Sequence, residues 1–204
     1  MDVLVVTGGI GSGKSEVCRI LHEIYGCGVY NADERVKMLY DDHPILLNDI
    51  ESMLGESLRD AGGRFVPSRL SARIFSDRSI LMKVEALVFP ALMDDFGRWT
   101  ETYSNDRFVV FESATVLEKP EFKGFGDKII IVDSLVETRL ERACMRDSAP
   151  RESIYARMLN QKMMNGISNG EIEPEADAVI HNLGTLSDLK FETIRVIKEL
   201  YEQL

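Results

Sequence analysis

An α/β fold, with a parallel sheet of about five strands and flanking helices, is what this sequence predicts, and three observations predict it. Short runs rich in Val, Ile or Phe recur along the chain, each closed by a polar residue or glycine. The runs are continuously apolar, as in strands covered on both faces. Helical patterns separate them, and that alternation indicates parallel order. With 204 residues, 45% of them hydrophobic and 28% charged, the chain is most simply one globular domain able to bury a substantial core.

The elements follow in order. Residues 3–7 form the first strand and meet a burst of small residues, after which apolar spacing predicts a helix over 16–23. Residues 28–31 give the second strand. Between 33 and 107 no strand is visible. Pro44 marks a helix start, "DAGGR" at 60–64 reads as a turn, and 67–75 and 77–103 are helical, with Pro90 kinking the second. This interval reads equally as a helical substrate module set into the core or as a helical side layer. Taken as an insertion, it leaves a core of 1–33 and 107–204, an acceptor-binding part at 34–106 and a lid at about 146–175. Strands at 108–112, 129–133 and 178–181 complete the sheet. Ser187 is placed as the N-cap of a C-terminal helix over 187–204, with Leu189, Ile194, Ile197 and Leu200 at helical spacing.

Gly8, Gly13, Lys14 and Ser15 complete the pattern G-x-x-x-x-G-K-S between a strand and a helix, so the sheet is of the P-loop NTPase type. Gly9, Gly11 and Gly13 let the backbone curve with no side chain in the way. The segment Gly9, Ile10, Gly11, Ser12, Gly13, Lys14, Ser15 and Glu16 can then cradle phosphates at the positive end of the helix dipole. Lys14 reaches the β- and γ-phosphates, and the Ser15 hydroxyl is the expected Mg²⁺ ligand. A nucleoside triphosphate is implied; its fate is not. The D-x-x-G string at 60–63 follows no strand and no N-K-x-D string occurs, which argues against a GTPase. The chain is short for a motor ATPase and lacks a second nucleotide signature. A small-molecule kinase remains.

Asp33, in "VYNADERV", stands at the carboxyl end of the second strand, the usual ligand edge of an open α/β sheet. A carboxylate there can take the proton of an attacking hydroxyl, or it can simply cap the next helix. Arg139, Arg142 and Arg146, three and four apart, share one helical face, with Arg151 just beyond. They can clamp phosphate oxygens as a lid closes, or form a solvated face paired with Glu137, Glu141 and Asp147. The solvated reading is preferred for Arg139; both stay open for Arg142 and Arg146.

A formal charge of -10 argues against a nucleic-acid partner. Cys18, Cys27 and Cys144 show no paired spacing and read as reduced thiols; His22, His43 and His181 are scattered, which argues against zinc. No leader pattern and no apolar run near the ~20 residues of a membrane span is visible. A cytoplasmic location, no membrane partner and a monomer or weak homo-oligomer are the expectations.

The chain resembles the dephospho-CoA kinase family nearly end to end. The resemblance rests on "TGGIGSGKS", on Asp33 in "YNAD", on "RIF" at 73–75, on "ESATVLE" at 112–118, on "ETRLERACMRD" with Gln161, and on "ADAVIHN" at 176–182. It implies transfer of phosphate from ATP, with Mg²⁺, to the ribose 3′-hydroxyl of dephospho-CoA, giving CoA and ADP. Asp33 would orient or deprotonate the hydroxyl, Lys14 would hold the transferring phosphate, and Arg142 and Arg146 would neutralise charge from the lid. Asn182 and its loop would lie by the adenine, and the helical interval would receive the acceptor. A related nucleotide or nucleoside kinase, or a non-catalytic paralogue that binds ATP or a CoA-like ligand, are the alternatives. Four departures are visible: Phe89-Pro90 in place of His-Pro, Pro67 at a usually basic position, "ATVLE" for a Pro-Leu-Leu turn, and a longer Gly/Asn-rich "KMMNGISNGEIEPE" after Gln161.

Overall fold

The computed structural model of the protein describes residues 1–201. Five strands, β1 (Asp2–Gly8), β2 (Val29–Asn31), β3 (Phe108–Glu112), β4 (Lys128–Asp133) and β5 (Ala178–His181), form one sheet in the order β2-β3-β1-β4-β5, every neighbouring pair parallel. The first strand is central, so the loop that follows it opens at the middle of the sheet's carboxyl edge.

Burial explains the apolar runs. Leu4, Val6, Phe108, Val110, Ile130, Val132 and Ile180 share one core with α1 (Lys14–Tyr25) and α9 (Leu186–Leu200), through Val17, Ile20, Leu21, Leu189 and Ile197. The alternate residues Val5, Val109, Phe111 and Ile131 are also fully buried, and Phe111 meets Tyr30, Phe122 and Phe125 in ring contacts. With both faces covered, apolar residues are required at consecutive positions.

Helix boundaries differ from expectation: the helix expected over 77–103 spans Arg78–Thr100, with Asp77 as its N-cap and a 3-10 turn over Glu101–Tyr103. The first helix starts at Lys14 and ends at Tyr25, wider than 16–23, because Gly13 takes the N-cap place and Gly26, with φ 69°, closes the far end. The last helix is capped by Thr185, not Ser187. Thr185 has an acid three residues on, and Asp188 Oδ2 accepts from the Thr185 amide at 2.8 Å while Thr185 Oγ1 accepts from Asp188 N–H at 3.3 Å. Ser187 has Lys190 at that place and cannot form such a box. The expected end of this helix, 202–204, lies outside the described residues.

Between β4 and β5 lie α6 (Val136–Asp147), α7 (Arg151–Leu159) and α8 (Lys162–Ser168), with Leu140, Ala143, Ile154 and Met158 forming a second core against which Ile10 packs. The chain divides into two compact units: Met1–Asn31 with the chain from Tyr103 onward, and Ala32–Thr102. The second is helical. Its elements are α2 (Ala32–Asp42), α3 (Pro44–Leu54), α4 (Pro67–Ser76) and α5 (Arg78–Thr100), with α5 packed on the other three. Arg35 pairs with Asp95 through two hydrogen bonds, Nε–Oδ2 at 2.9 Å and Nη2–Oδ1 at 2.6 Å. α5 runs unbroken through Pro90. Residues 60–64 form the expected turn, Gly63 N–H donating to the Asp60 carbonyl at 3.0 Å. Among the described residues, no helix is long and apolar enough to cross a membrane.

Candidate active site

The loop after β1 is shaped by glycine and held by four distant side chains. Gly11 (φ 76°) and Gly13 (φ 106°) adopt left-handed conformations that other residues resist. A Cβ on Gly13 would come 2.3 Å from Asn182 Nδ2, so the close approach requires glycine as well. The amides of Glu16 and Val17 both donate to the Gly13 carbonyl at 3.1 Å and start α1. Lys14 arches back, with Nζ 3.0 Å from the Gly8 carbonyl oxygen and 3.2 Å from that of Gly9.

Asn182, Gln161, Arg139 and Glu112 hold this arrangement from behind or beside. Asn182 Nδ2 donates to the Ser12 carbonyl at 2.9 Å, its own amide donates to the Asp133 carbonyl at 2.7 Å, and its carbonyl accepts from Ser134 Oγ. Gln161, buried at the start of α8, accepts from Ile10 N–H at 2.8 Å and donates to the Ala114 carbonyl at 3.0 Å. Arg139 donates from Nε to the Ile10 carbonyl at 3.2 Å and from Nη1 to Ser168 Oγ at 3.2 Å. The solvated reading of Arg139 is therefore wrong: the side chain is fully buried, because α6 turns Arg139, Leu140 and Ala143 inward beside the loop while Val136 and Glu137 stay exposed.

Glu112, at the carboxyl end of β3, is a residue beside Ser15 that sequence reasoning missed. Ser15 Oγ donates to Glu112 Oε1 at 2.7 Å, and Asn31 Nδ2 donates to Oε2 at 3.2 Å. A hydroxyl and a carboxylate joined at the edge of a phosphate loop are hard oxygen donors of the type Mg²⁺ takes, usually with substrate phosphates and water filling the rest. No preformed group of three or more metal-ligating side chains occurs among the described residues, and that mode of Mg²⁺ binding needs none. The signal available in the sequence was an acidic residue ending a strand next to the loop strand.

Of the other α6 arginines, Arg142 is half-buried, with Nη1 3.5 Å from Ser134 Oγ. Arg146 is more exposed and grips Asp147 through Nε–Oδ1 at 2.7 Å and Nη2–Oδ2 at 3.2 Å. Asp147 also accepts from Arg157 at 2.7 Å, and these hydrogen bonds, Arg146's first, push its carboxyl down to about 2. The Asp147 hydrogen bond in turn raises the Arg146 guanidinium pKa, and the negative charge of Glu112 adds to it. Glu118 does not face the loop; its carboxylate accepts from the amides of Met163 and Met164 and caps α8.

Asp33 is the second residue of α2, exposed, two residues past the end of β2. In the same unit, Pro67 opens α4, and Arg69 donates to the carbonyls of Arg59 and Ser57 at 2.5 and 3.3 Å, bracing the turn before it. Phe89 is half-buried on α5. Cys18, Cys27 and Cys144 are free thiols.

A family model described as dephospho-CoA kinase matches residues 3–188. A dephospho-CoA kinase of Porphyromonas gingivalis is 36% identical over 162 residues, covering 79% of this chain and 78% of its own. One from Aquifex aeolicus is 30% identical over 208 residues, 100% of this chain and 98% of its own. Among solved structures, a Thermus thermophilus protein superposes with a TM-score of 0.77 at 26% identity, covering 98% of this chain and 97% of its own. A dephospho-CoA kinase from Campylobacter jejuni, at 21% identity and a TM-score of 0.58 over 98% and 97% of the two chains, shares the fold. With a loop built for phosphates and a match that runs through the sheet, the helical unit and α6–α8, the chain belongs to the dephospho-CoA kinase family.

Proposed function

We propose that this protein transfers the γ-phosphoryl group of ATP to the ribose 3′-hydroxyl of dephospho-CoA, the last step of coenzyme A synthesis. The observation that carries the reading is the braced phosphate loop with Ser15 and Glu112 beside it, in a chain of this family. The loop amides and Lys14 hold the β- and γ-phosphates. Ser15 and Glu112 are the groups that would hold Mg²⁺, which would supply Lewis-acid charge neutralisation at the phosphates. The acceptor 3′-oxygen bonds to the γ-phosphorus as the bond to the β-bridging oxygen breaks, and ADP leaves. Asp33 takes the proton from the 3′-hydroxyl. Arg142 and Arg146 approach the transferring group from the lid, and Arg146 exchanges its Asp147 partner for phosphate oxygens. The helical unit receives the acceptor, and the stretch after Asn182 lies on the adenine side. A cytoplasmic enzyme acting as a monomer or weak homo-oligomer suits this chemistry.

The test is ADP release from purified protein with ATP and Mg²⁺, offering dephospho-CoA beside a panel of nucleoside monophosphates. Turnover confined to dephospho-CoA supports the reading; preference for a monophosphate moves the assignment to another kinase, and ATP binding without turnover refutes both. Asp33→Asn is expected to lower kcat by about 10²-fold or more with ATP affinity almost unchanged. Equal loss of both would make Asp33 structural.

A further inference from the structure

Arg139 is an unusual floor for a phosphate loop. Its side chain is fully buried; the loop glycine Gly9 lies against that side chain and Gly11 against the Arg139 backbone. A Cβ on Gly9 would fall 1.9 Å from Arg139 Nη2, and one on Gly11 would fall 2.1 Å from the Arg139 carbonyl oxygen. Nη2 itself has no hydrogen-bond partner, and neither do the buried hydroxyls of Thr7 and Ser12 at the two sides of the same loop. Buried polar groups are paired in the great majority of cases, so an orphaned guanidinium N–H calls for a reason.

The charge is also poorly compensated. Among the described residues, no carboxylate bonds to Arg139 directly. The nearest route is a relay in which Nη1 donates to Ser168 Oγ and Ser168 Oγ donates to Asp133 Oδ1 at 2.7 Å. Burial alone pulls the guanidinium pKa down, with Asp133 opposing it. Arginine nevertheless stays ionised in proteins. A buried cation without a close counter-ion is expensive to keep, unless a negative charge arrives on the other side of the loop when the protein is at work.

We propose that Arg139 is a positioning residue for the nucleotide phosphates: a fixed cation beneath the loop that sets the Gly9–Gly11 backbone and is compensated when phosphates enter above it. The proposal accounts for one departure of the chain as well. Ser168 belongs to the long Gly/Asn-rich segment after Gln161, and its hydroxyl is what joins Arg139 to Asp133. That segment is compact, with the amides of Glu171 and Ile172 both donating to the Gly166 carbonyl, so it holds Ser168 in place. The inference rests on the reading of the loop as a nucleotide site, and it says nothing of the acceptor.

The experiment measures binding of ATP and of inorganic tripolyphosphate to the full chain by calorimetry, without acceptor, together with the melting temperature. Arg139→Met should weaken both ligands by about tenfold or more, as expected for removing one charge near a polyphosphate in a partly screened interior. The melting temperature without ligand should stay within a few degrees, because the same change removes a buried, poorly paired charge. Arg139→Lys should recover part of the affinity for both ligands. Ser168→Ala keeps the cation and should weaken binding less than Arg139→Met does. Wild-type affinity in Arg139→Met, or no recovery in Arg139→Lys, overturns the proposal, as does a lowered melting temperature at unchanged affinity. Should Arg139→Met not fold, the same comparison between Arg139→Lys and Arg139→Gln decides it. Failure of the wild type to bind either ligand would instead defeat the nucleotide reading itself.

Discussion

The Glu112 carboxylate accepts from Ser15 at Oε1 and from Asn31 at Oε2 while 6% exposed. An amide at this position keeps the shape and much of the bonding but loses the charge. If that charge serves a cation shared with the Ser15 hydroxyl, Glu112→Gln should raise the Mg²⁺ concentration for half-maximal rate by about tenfold or more. The melting temperature should move by only about 2–4 °C, since roughly 1 kcal/mol is at stake when one hydrogen bond is altered. A metal titration of the rate beside a melting curve checks both numbers, and an unchanged metal requirement would assign Glu112 to holding Ser15 alone. Neighbouring residues show the same economy of placement. Gln161 and Asn182 each contribute a single amide that satisfies loop backbone groups, and neither needs to touch a substrate to matter for the rate.

On α6, spacing of three and four put Arg139, Arg142 and Arg146 in one line, yet their fates run from buried to half-buried to exposed. The helix enters beside the loop, with Leu140 and Ala143 in the core, and emerges at its far end, where Asp147 latches Arg146 and Arg157. The latch is weak by location, because both guanidinium groups are about half exposed, 59% and 50%, and such pairs contribute about 0–1 kcal/mol. Its pH dependence has a definite sign. The Asp147 carboxyl is lowered to about 2 from an ordinary 3.8, so its contribution is complete above the ordinary value and is lost as pH falls through about 2. Asp147→Asn should therefore lower stability slightly and equally at all pH values above about 5, and the gap to wild type should close near pH 2; melting curves across that range measure it. The α6 arginines also show what a sequence conceals. All five strands and the phosphate loop were legible because their signals are local: consecutive apolar residues for a sheet covered on both faces, and glycine followed by Lys14 and Ser15. The bonds that finish the site join Arg139 to Ile10, Ser15 to Glu112 and Ile10 to Gln161, across 129, 97 and 151 residues. No helical period reports such pairings, which is why Arg139 read as solvated. The cap at Thr185 was local and readable, since Asp188 stands three residues on; Ser187 simply lacked that partner.

At the scale of the molecule, the chain forms two compact units, to which the proposed function assigns two tasks. The sheet unit holds the loop with its braces from β3, α6, α8 and the residue after β5. The helical unit, Ala32–Thr102, has its own ties: the Arg35–Asp95 pair, the Tyr40–Phe65 stack with centroids 4.7 Å apart, and Arg69 on the 57–59 backbone. A division of labour of this kind predicts separable ligand footprints. A ligand at 100 times its dissociation constant adds about 2.7 kcal/mol to the stability of whatever must open to release it, which slows exchange there by about 100-fold. ATP with Mg²⁺ should slow amide exchange in the loop at 8–16, at Gln161 and through α8, whose first amides are capped by Glu118. Dephospho-CoA alone should slow exchange within Ala32–Thr102, around Asp33 and α5, and leave the loop near its free rate. Hydrogen exchange read by mass spectrometry on the full chain resolves these segments. Protection of the loop by ATP with none in Ala32–Thr102 from dephospho-CoA would remove the acceptor from the helical unit, and with it the reason for a long strandless interval between β2 and β3.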